Sequence, residues 1–182
     1  MKKILIIICA FAIASLLNGC YIDMNNDGSE IVLNSSCIGG DFVYLAQRNN
    51  YFKDSFLLEN RVSGTIYENE YYDPSDPESR EYIYDSTSPE RIITVIDNLE
   101  KHNEIFNIEH EVDFNKEMLV LLFFADTCCA YTFPGAKLKN NNIIIEYTST
   151  ITATTSPRRV FFLFKLDKVE YENIEIVRIK KR

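Results

Sequence analysis

His102 and His110 are the two side chains of this sequence able to exchange a proton near neutral pH as neutral bases. Eight residues apart, they are the one histidine pair available to share a metal ion. The stretch His110-Glu111-Val112-Asp113-Phe114 lacks the second histidine that a zincin helix uses to hold zinc. Glu100 and Glu104 flank His102, and Glu109 and Glu111 flank His110, so both rings are expected at the surface. Cys128 and Cys129 follow an apolar run, a place where a nucleophile can stand. A cysteine nucleophile also needs a histidine beside it and a third group to orient that histidine, and no cysteine-protease signature surrounds the pair. Adjacent cysteines lack the two-residue gap that turns both thiolates toward one zinc. There is no G-x-S-x-G elbow, and six glycines in all leave no glycine-rich phosphate loop. Carboxylates are plentiful, but their order along a chain does not identify a hydrolytic pair. No catalytic residue, metal ligand or cofactor is therefore assigned, and the chain is expected not to be an enzyme.

The remaining cysteines are read by position. Met1-Lys2-Lys3 is a positive start, residues 4–17 form an apolar run broken by Ser15, and polarity begins at Asp23. A charged start, a short apolar stretch and a small residue before the cut describe a secretory signal over residues 1–19. The run is shorter than the ~20 apolar residues a spanning helix needs. Leu17-Asn18-Gly19-Cys20 resembles the bacterial lipobox, with the less usual Asn at the tolerant position. That resemblance implies diacylglyceryl transfer to Cys20, which becomes the new N-terminus. Each buried methylene is worth ~0.8 kcal/mol, so two or three acyl chains on one residue hold a domain firmly on a membrane. Tyr21 stands where inner-membrane lipoproteins often carry Asp, which by the same resemblance favours the outer membrane of a two-membrane host. Cys9 leaves with the signal. Cys37, Cys128 and Cys129 remain in a compartment that permits disulfides. One bridge from Cys37 to either member of the pair is expected, with a vicinal bridge as the strained alternative.

Charge narrows the partners. Lys2 and Lys3 leave with the signal, so 19 basic against 27 acidic residues become 17 against 27. Such a domain is a poor match for nucleic acid or anionic lipid, which need clustered Lys and Arg. Arg178, Lys180, Lys181 and Arg182 are read as a solvated strand end. Asp23-Met24-Asn25-Asn26-Asp27-Gly28 imitates the first half of a calcium loop, but its twelfth position is Asn34 instead of a bidentate Glu. Residues 20–38 are therefore assigned to lipid attachment and a flexible tether. Residues 69–80, with Asp73-Pro74 and Asp76-Pro77, form an exposed acidic loop. Tyr67, Tyr71, Tyr72, Tyr82 and Tyr84 gather around it, a candidate surface for a partner or glycan as well as ordinary strand residues.

The 163 residues left after the signal suffice for one domain with a real core, taken as residues 39–182. Residues 42–46 read as a short strand. Residues 55–58 and 61–67 read as a hairpin turning at Glu59-Asn60, and residues 82–84 as a third strand. Arg91-Ile92-Ile93-Thr94-Val95-Ile96 is β-branched and predicts a buried strand. Asp97 with Glu100 three residues later predicts a capping box, opening a helix that buries Leu99, Ile105 and Phe106. Residues 118–125 are almost wholly apolar, as in a strand buried on both faces. Strands are expected over 131–138, 143–147 and 159–166, with Asn140-Asn141-Asn142 as a tight turn, and residues 174–179 complete the sheet. The fold class is α+β: a mostly antiparallel sheet curled into a sandwich or partial barrel, with one short helix.

The order Ile92 to Phe106, then Val112-Asp113-Phe114-Asn115-Lys116-Glu117, the buried strand after it, Tyr131, and Phe161-Phe162-Leu163-Phe164-Lys165-Leu166 resembles the C-terminal domain of PrcB-type envelope lipoproteins. The resemblance covers residues 91–182 and is carried by apolar pattern. Cys129-Ala130 stands where that family has glycines before the tyrosine. It implies a non-enzymatic role: binding or stabilising another envelope protein, a protease among the candidates. A metal- or glycan-binding lipoprotein and an envelope hydrolase are the alternatives.

Overall fold

The computed structural model describes residues 30–68, 82–126, 129–151 and 158–179; the side chains of residues 66–68, 82, 83, 129 and 151 lie outside that description. Ten strands and three helices follow in order: β1 (Glu30–Leu33), β2 (Ser35–Phe42), α1 (Val43–Arg48), α2 (Asp54–Glu59), β3 (Ile66–Glu68), β4 (Tyr82–Tyr84), β5 (Arg91–Ile96), α3 (Leu99–Ile105), β6 (Glu117–Asp126), β7 (Cys129–Lys139), β8 (Asn142–Ile151), β9 (Arg158–Asp167) and β10 (Asn173–Arg178). One sheet has the order β1-β7-β8-β10 and the other β2-β9-β6-β5, while β3 and β4 form a separate hairpin. The two large sheets stack as a sandwich, and no barrel closes.

The sandwich follows from strand period. Along β6, Met118, Val120 and Leu122 point at the facing sheet, while Leu119, Leu121 and Phe123 point the other way; all six are buried. A strand apolar on both faces needs cover on both sides. The first cover is Ala136, Leu138, Ile143, Ile145, Ile174 and Ile176 of the opposite sheet. The second is a layer built from the helices and their loops, including Val43, Ala46, Phe52, Leu57, Ile105 and Phe106. Each such large apolar side chain contributes ~1.5–3 kcal/mol on burial. Among the described residues the opposite sheet is covered on one side only, and its outer face carries Lys137 paired with Glu30 at 3.0 Å and with Glu146 at 2.8 Å.

The chain changes sheets at Asn34. Asn34 N–H donates to the Asp167 carboxylate at 3.0 Å, and Asp167 N–H donates back to Asn34 C=O at 3.1 Å. β10 runs parallel to β8 because β9, between them in sequence, crosses to the other sheet and back. Asn140 and Asn141, with φ of 49° and 59°, make the left-handed turn joining β7 to β8.

Several expectations are corrected. Residues 30–33 and 35–38 are strand, not tether: the Glu30-Ile31-Val32-Leu33 run pairs with β7, and residues 35–38 open β2. Residues 43–46 belong to α1, and residues 55–58 to α2, so the expected hairpin there does not exist; β3 pairs with β4 instead. Three helices are described where one was expected. α3 is capped one residue later than expected, by Asn98, whose side chain accepts from Lys101 N–H. Leu99 is 62% exposed, and the buried face of α3 is His102, Ile105 and Phe106.

Candidate functional site

The two histidines expected at the surface meet under the helix layer. His102, 2% exposed, projects from α3 in phase with Ile105 and Phe106. His110 reaches back to it from the loop before β6. His102 Nε2 lies 2.8 Å from His110 Nδ1, His110 Nε2 lies 2.7 Å from the Tyr51 hydroxyl, and His102 Nδ1 lies 3.2 Å from Asn103 Oδ1.

The direction of this chain is determined by its end. Asn103 Oδ1 is an acceptor, so a neutral His102 carries its hydrogen on Nδ1 and accepts at Nε2. His110 Nδ1 then donates to His102, and His110 Nε2 accepts from the Tyr51 O–H. Both nitrogens of each ring have a hydrogen-bond partner. Burial, and then the charge that His102 would carry, push His110 down to about 4. Burial, with a smaller repulsion from a Cys37 thiolate, pushes Tyr51 up to about 12.

The surroundings are aromatic. Phe106 packs 4.7 Å from the His110 ring and 5.0 Å from His102, and Tyr51 contacts Phe52, Phe106 and Phe161 at 4.8, 5.6 and 5.2 Å. Tyr51 is positioned by local backbone: Asn50 turns through φ 53° after α1, and Asn107 Nδ2 donates to Asn50 Oδ1 and Phe52 C=O, each at 2.9 Å. Gly39 completes the fit, since a Cβ there would meet the Tyr51 hydroxyl at 2.8 Å. Nothing in the sequence pattern singled out Tyr51. The placing of His102 three and four residues before Ile105 and Phe106 was the available sign of its burial.

Chemically, this is a closed arrangement. The facing nitrogens of the histidines are engaged with each other instead of a common third point. Among the described residues, no group of three or more His, Cys, Asp or Glu side chains could hold a metal ion. A tyrosine hydroxyl held protonated at its end is a hydrogen-bond donor and not a nucleophile at neutral pH.

The cysteines do not join it as expected. Cys37, on β2, carries a free exposed thiol that donates to Gly39 C=O at 3.3 Å, so the bridge expected from it is not formed. Cys37 shares a small crevice with Ala136. Cys129 stands seven residues further along β7, roughly 20 Å away at strand rise, beyond the Cα reach of a disulfide. Cys129 is in the sheet remote from both histidines, while Cys128, Cys20, residues 1–29, the acidic loop 69–80 and Lys180 to Arg182 lie outside the described residues.

A second polar site is open. At one end of the sandwich, a cleft of about 600 Å³ lies between the large sheets. Its floor is Leu122, Phe124, Tyr147 and Ile176, and its rim carries Glu90, Arg91, Asp126, Arg178, Tyr84, Ser63 and Ser86. Arg91 and Arg178 continue the inward phase of Ile93 and Ile176, so both guanidiniums stand at the mouth of the apolar space between the sheets. Arg91 donates to Ile176 C=O at 3.3 Å, linking β5 to β10. The Asp126 carboxylate accepts the Tyr131 hydroxyl. One wall is braced by Asp85, which accepts from Thr87 N–H, Ser88 N–H and Ser88 O–H at 2.9, 2.9 and 2.7 Å; those bonds hold its carboxyl below the usual range. Arg178 is exposed at the end of β10, the solvated strand end expected of it, and also lines the cleft; Tyr84 of the tyrosine group joins it, 61% exposed.

Compared with family models, with curated proteins and with solved structures, the chain matches none.

Proposed function

We propose that this chain is a lipid-anchored protein of the cell envelope that binds another envelope protein and performs no covalent chemistry of its own. The observation that carries the reading is the opposition of two ends. Glu30, the first described residue after Cys20, pairs with Lys139 beside the β7–β8 turn. The cleft opens at the other end of the strands, where Ala125, Asp126 and Arg178 stand. β7 alone has 11 residues, a span of about 33 Å. The cleft therefore lies at the end of the strands opposite the one at which the chain enters the domain from residue 20. The described polar groups divide in the same sense: the Tyr51-His110-His102 chain is satisfied internally, and the Arg91–Arg178 rim faces outward.

The test is capture by crosslinking from native membranes. The lipidated protein should recover a defined partner, and substitution of Tyr84 and Arg178 to Ala should lose it. Recovery of the same proteins by the Tyr84→Ala/Arg178→Ala variant, or of none by either, would refute the reading. Cys20→Ser should shift the protein from the membrane fraction to the soluble one.

A further inference from the structure

Four strand edges bound the two large sheets, and three of them carry features that discourage pairing with another chain. β1 presents Glu30, which is ion-paired with Lys137. β2 is interrupted by a bulge between Cys37 and Gly39. β10 carries Glu175 and Arg178 and lends Ile176 C=O to Arg91. β5 differs. After Arg91 it reads Ile-Ile-Thr-Val-Ile, with no charge, proline, glycine or bulge, and it pairs in unbroken register with β6 alone among the described residues. Arg91, its first residue, is also part of the cleft rim.

We infer that β5 and the cleft form one continuous site for the carboxy-terminal segment of a partner protein, added to β5 as an antiparallel strand with its last residue in the cleft. This rests on the binding-domain reading above and names its ligand. The polarity follows from the placement of the cleft at the Arg91 end, since a chain ending there must run from Ile96 toward Arg91. The unpaired peptide groups of β5 give main-chain hydrogen bonds, the usual source of affinity in strand addition. The floor of Leu122, Phe124 and Tyr147 takes an apolar last side chain. The Arg91 and Arg178 guanidiniums take the terminal carboxylate, a pairing stronger than a neutral hydrogen bond. Of the two rim acids, Asp126 is engaged by Tyr131, and Glu90 stands beside Arg91, where it disfavours a ligand of higher negative charge.

The probe is an acetylated hexapeptide of alternating Thr and Val ending in Phe with a free carboxylate, titrated calorimetrically into the full chain in detergent. Binding should weaken about tenfold or more when the carboxylate is converted to an amide, the effect of losing one charge-assisted pair. It should weaken similarly for Arg178→Ala at unchanged melting temperature, and disappear when alternate peptide nitrogens are methylated. Equal affinity for acid and amide, or indifference to N-methylation, would overturn the inference. A concentration-dependent dimer abolished by Thr94→Pro would also overturn it, assigning the edge to a second copy. If the membrane partner is still captured by Arg178→Ala and is not displaced by the peptide, this ligand assignment fails while the binding-domain reading survives. If neither partner nor peptide binds, both fail.

Discussion

The molecule contains two polar clusters with opposite treatments. Under the helix layer, Tyr51, His110 and His102 form a single file in which every hydrogen has an acceptor and every ring nitrogen a partner. At the end of the sandwich, Arg91 donates one bond to a backbone carbonyl and Asp126 accepts one from Tyr131, while Glu90, Tyr84 and Arg178 line the cleft beside them. Both histidines thus lie in the sealed cluster, while two arginines, two serines and two carboxylates line the open one. A buried, fully satisfied network specifies and rigidifies a packing arrangement. An open rim leaves its free energy for a ligand. The difference separates stability from binding, and each half can be broken alone.

The largest effect is expected from removing the centre of the sealed file. His102→Ala deletes a 2%-exposed ring and takes away the acceptor of His110 Nδ1–H. The cavity and the orphaned donor together should cost about 3 kcal/mol, read as a lowered urea midpoint with the slope unchanged. A change below about 1 kcal/mol would mean that the file contributes little and that the comparison misplaces the polar stability of the fold.

Acid should attack the same file. The folded His110 titrates at about 4 and the unfolded residue at its ordinary 6.5, so between those values the unfolded chain takes up the proton and the folded chain resists it. Stability from this group is complete above pH 6.5, falls as pH drops toward 4, and levels below. Discounting for the part-exposed ring, the loss is on the order of 2 kcal/mol. Denaturant midpoints of the parent and His110→Asn, followed from pH 7 to 4, should converge; parallel curves would exclude His110 as the source. Asp85, Asp113 and Glu117, all held below their usual carboxyl range by the hydrogen bonds they accept, are present in both proteins and cancel in that comparison.

Most strands of the sandwich were legible because their signals are local. The β-branched run at Arg91, the apolar run before Ala125 and the triple Asn each specify a conformation within a few residues. The early elements were not, since residues 43–46 and 55–58 are short apolar runs that suit a strand or a helix equally, and their placement on β6 and β9 decides the outcome. Glu30 to Leu33 sat among Asn, Asp and Ser and read as linker until β7 supplied its partner. The sealed file was illegible for another reason. His102 and His110 were visible as types, but their glutamate neighbours suggested solvent, and Tyr51 comes from a loop whose position depends on Asn50, Asn107 and Gly39 together. The cleft combines residues from five strands and two loops, a proximity that no sequence window contains.

Gly39→Ala tests whether that dependence is real with a smaller change. The new Cβ would come within 2.8 Å of the Tyr51 hydroxyl, at the far end of a ring confined by Phe52, Phe106 and Phe161. The ring must shift, stretching its bond to His110, at a cost of about 1–2 kcal/mol. Tyr51→Phe removes the clashing oxygen and also the donor, so the double variant should be less destabilised than the sum of the singles. Strict additivity would place the strain elsewhere on β2.

The smallest stability effect is expected at the open cluster, and there the smallness is the informative result. Arg178 is exposed at the end of an edge strand and makes no ion pair among the described residues, so Arg178→Ala should change unfolding free energy by no more than about 0.5 kcal/mol. Binding of the partner or the carboxylate peptide should nevertheless fall about tenfold or more. His102→Ala should show the reverse at temperatures where it stays folded: marked destabilisation with affinity retained. That crossed pattern is what two energetically separate clusters require. If Arg178→Ala instead destabilised the fold as much as His102→Ala does, the cleft rim would be a structural clasp between β5 and β10, and its guanidiniums would have no free energy left to give a ligand.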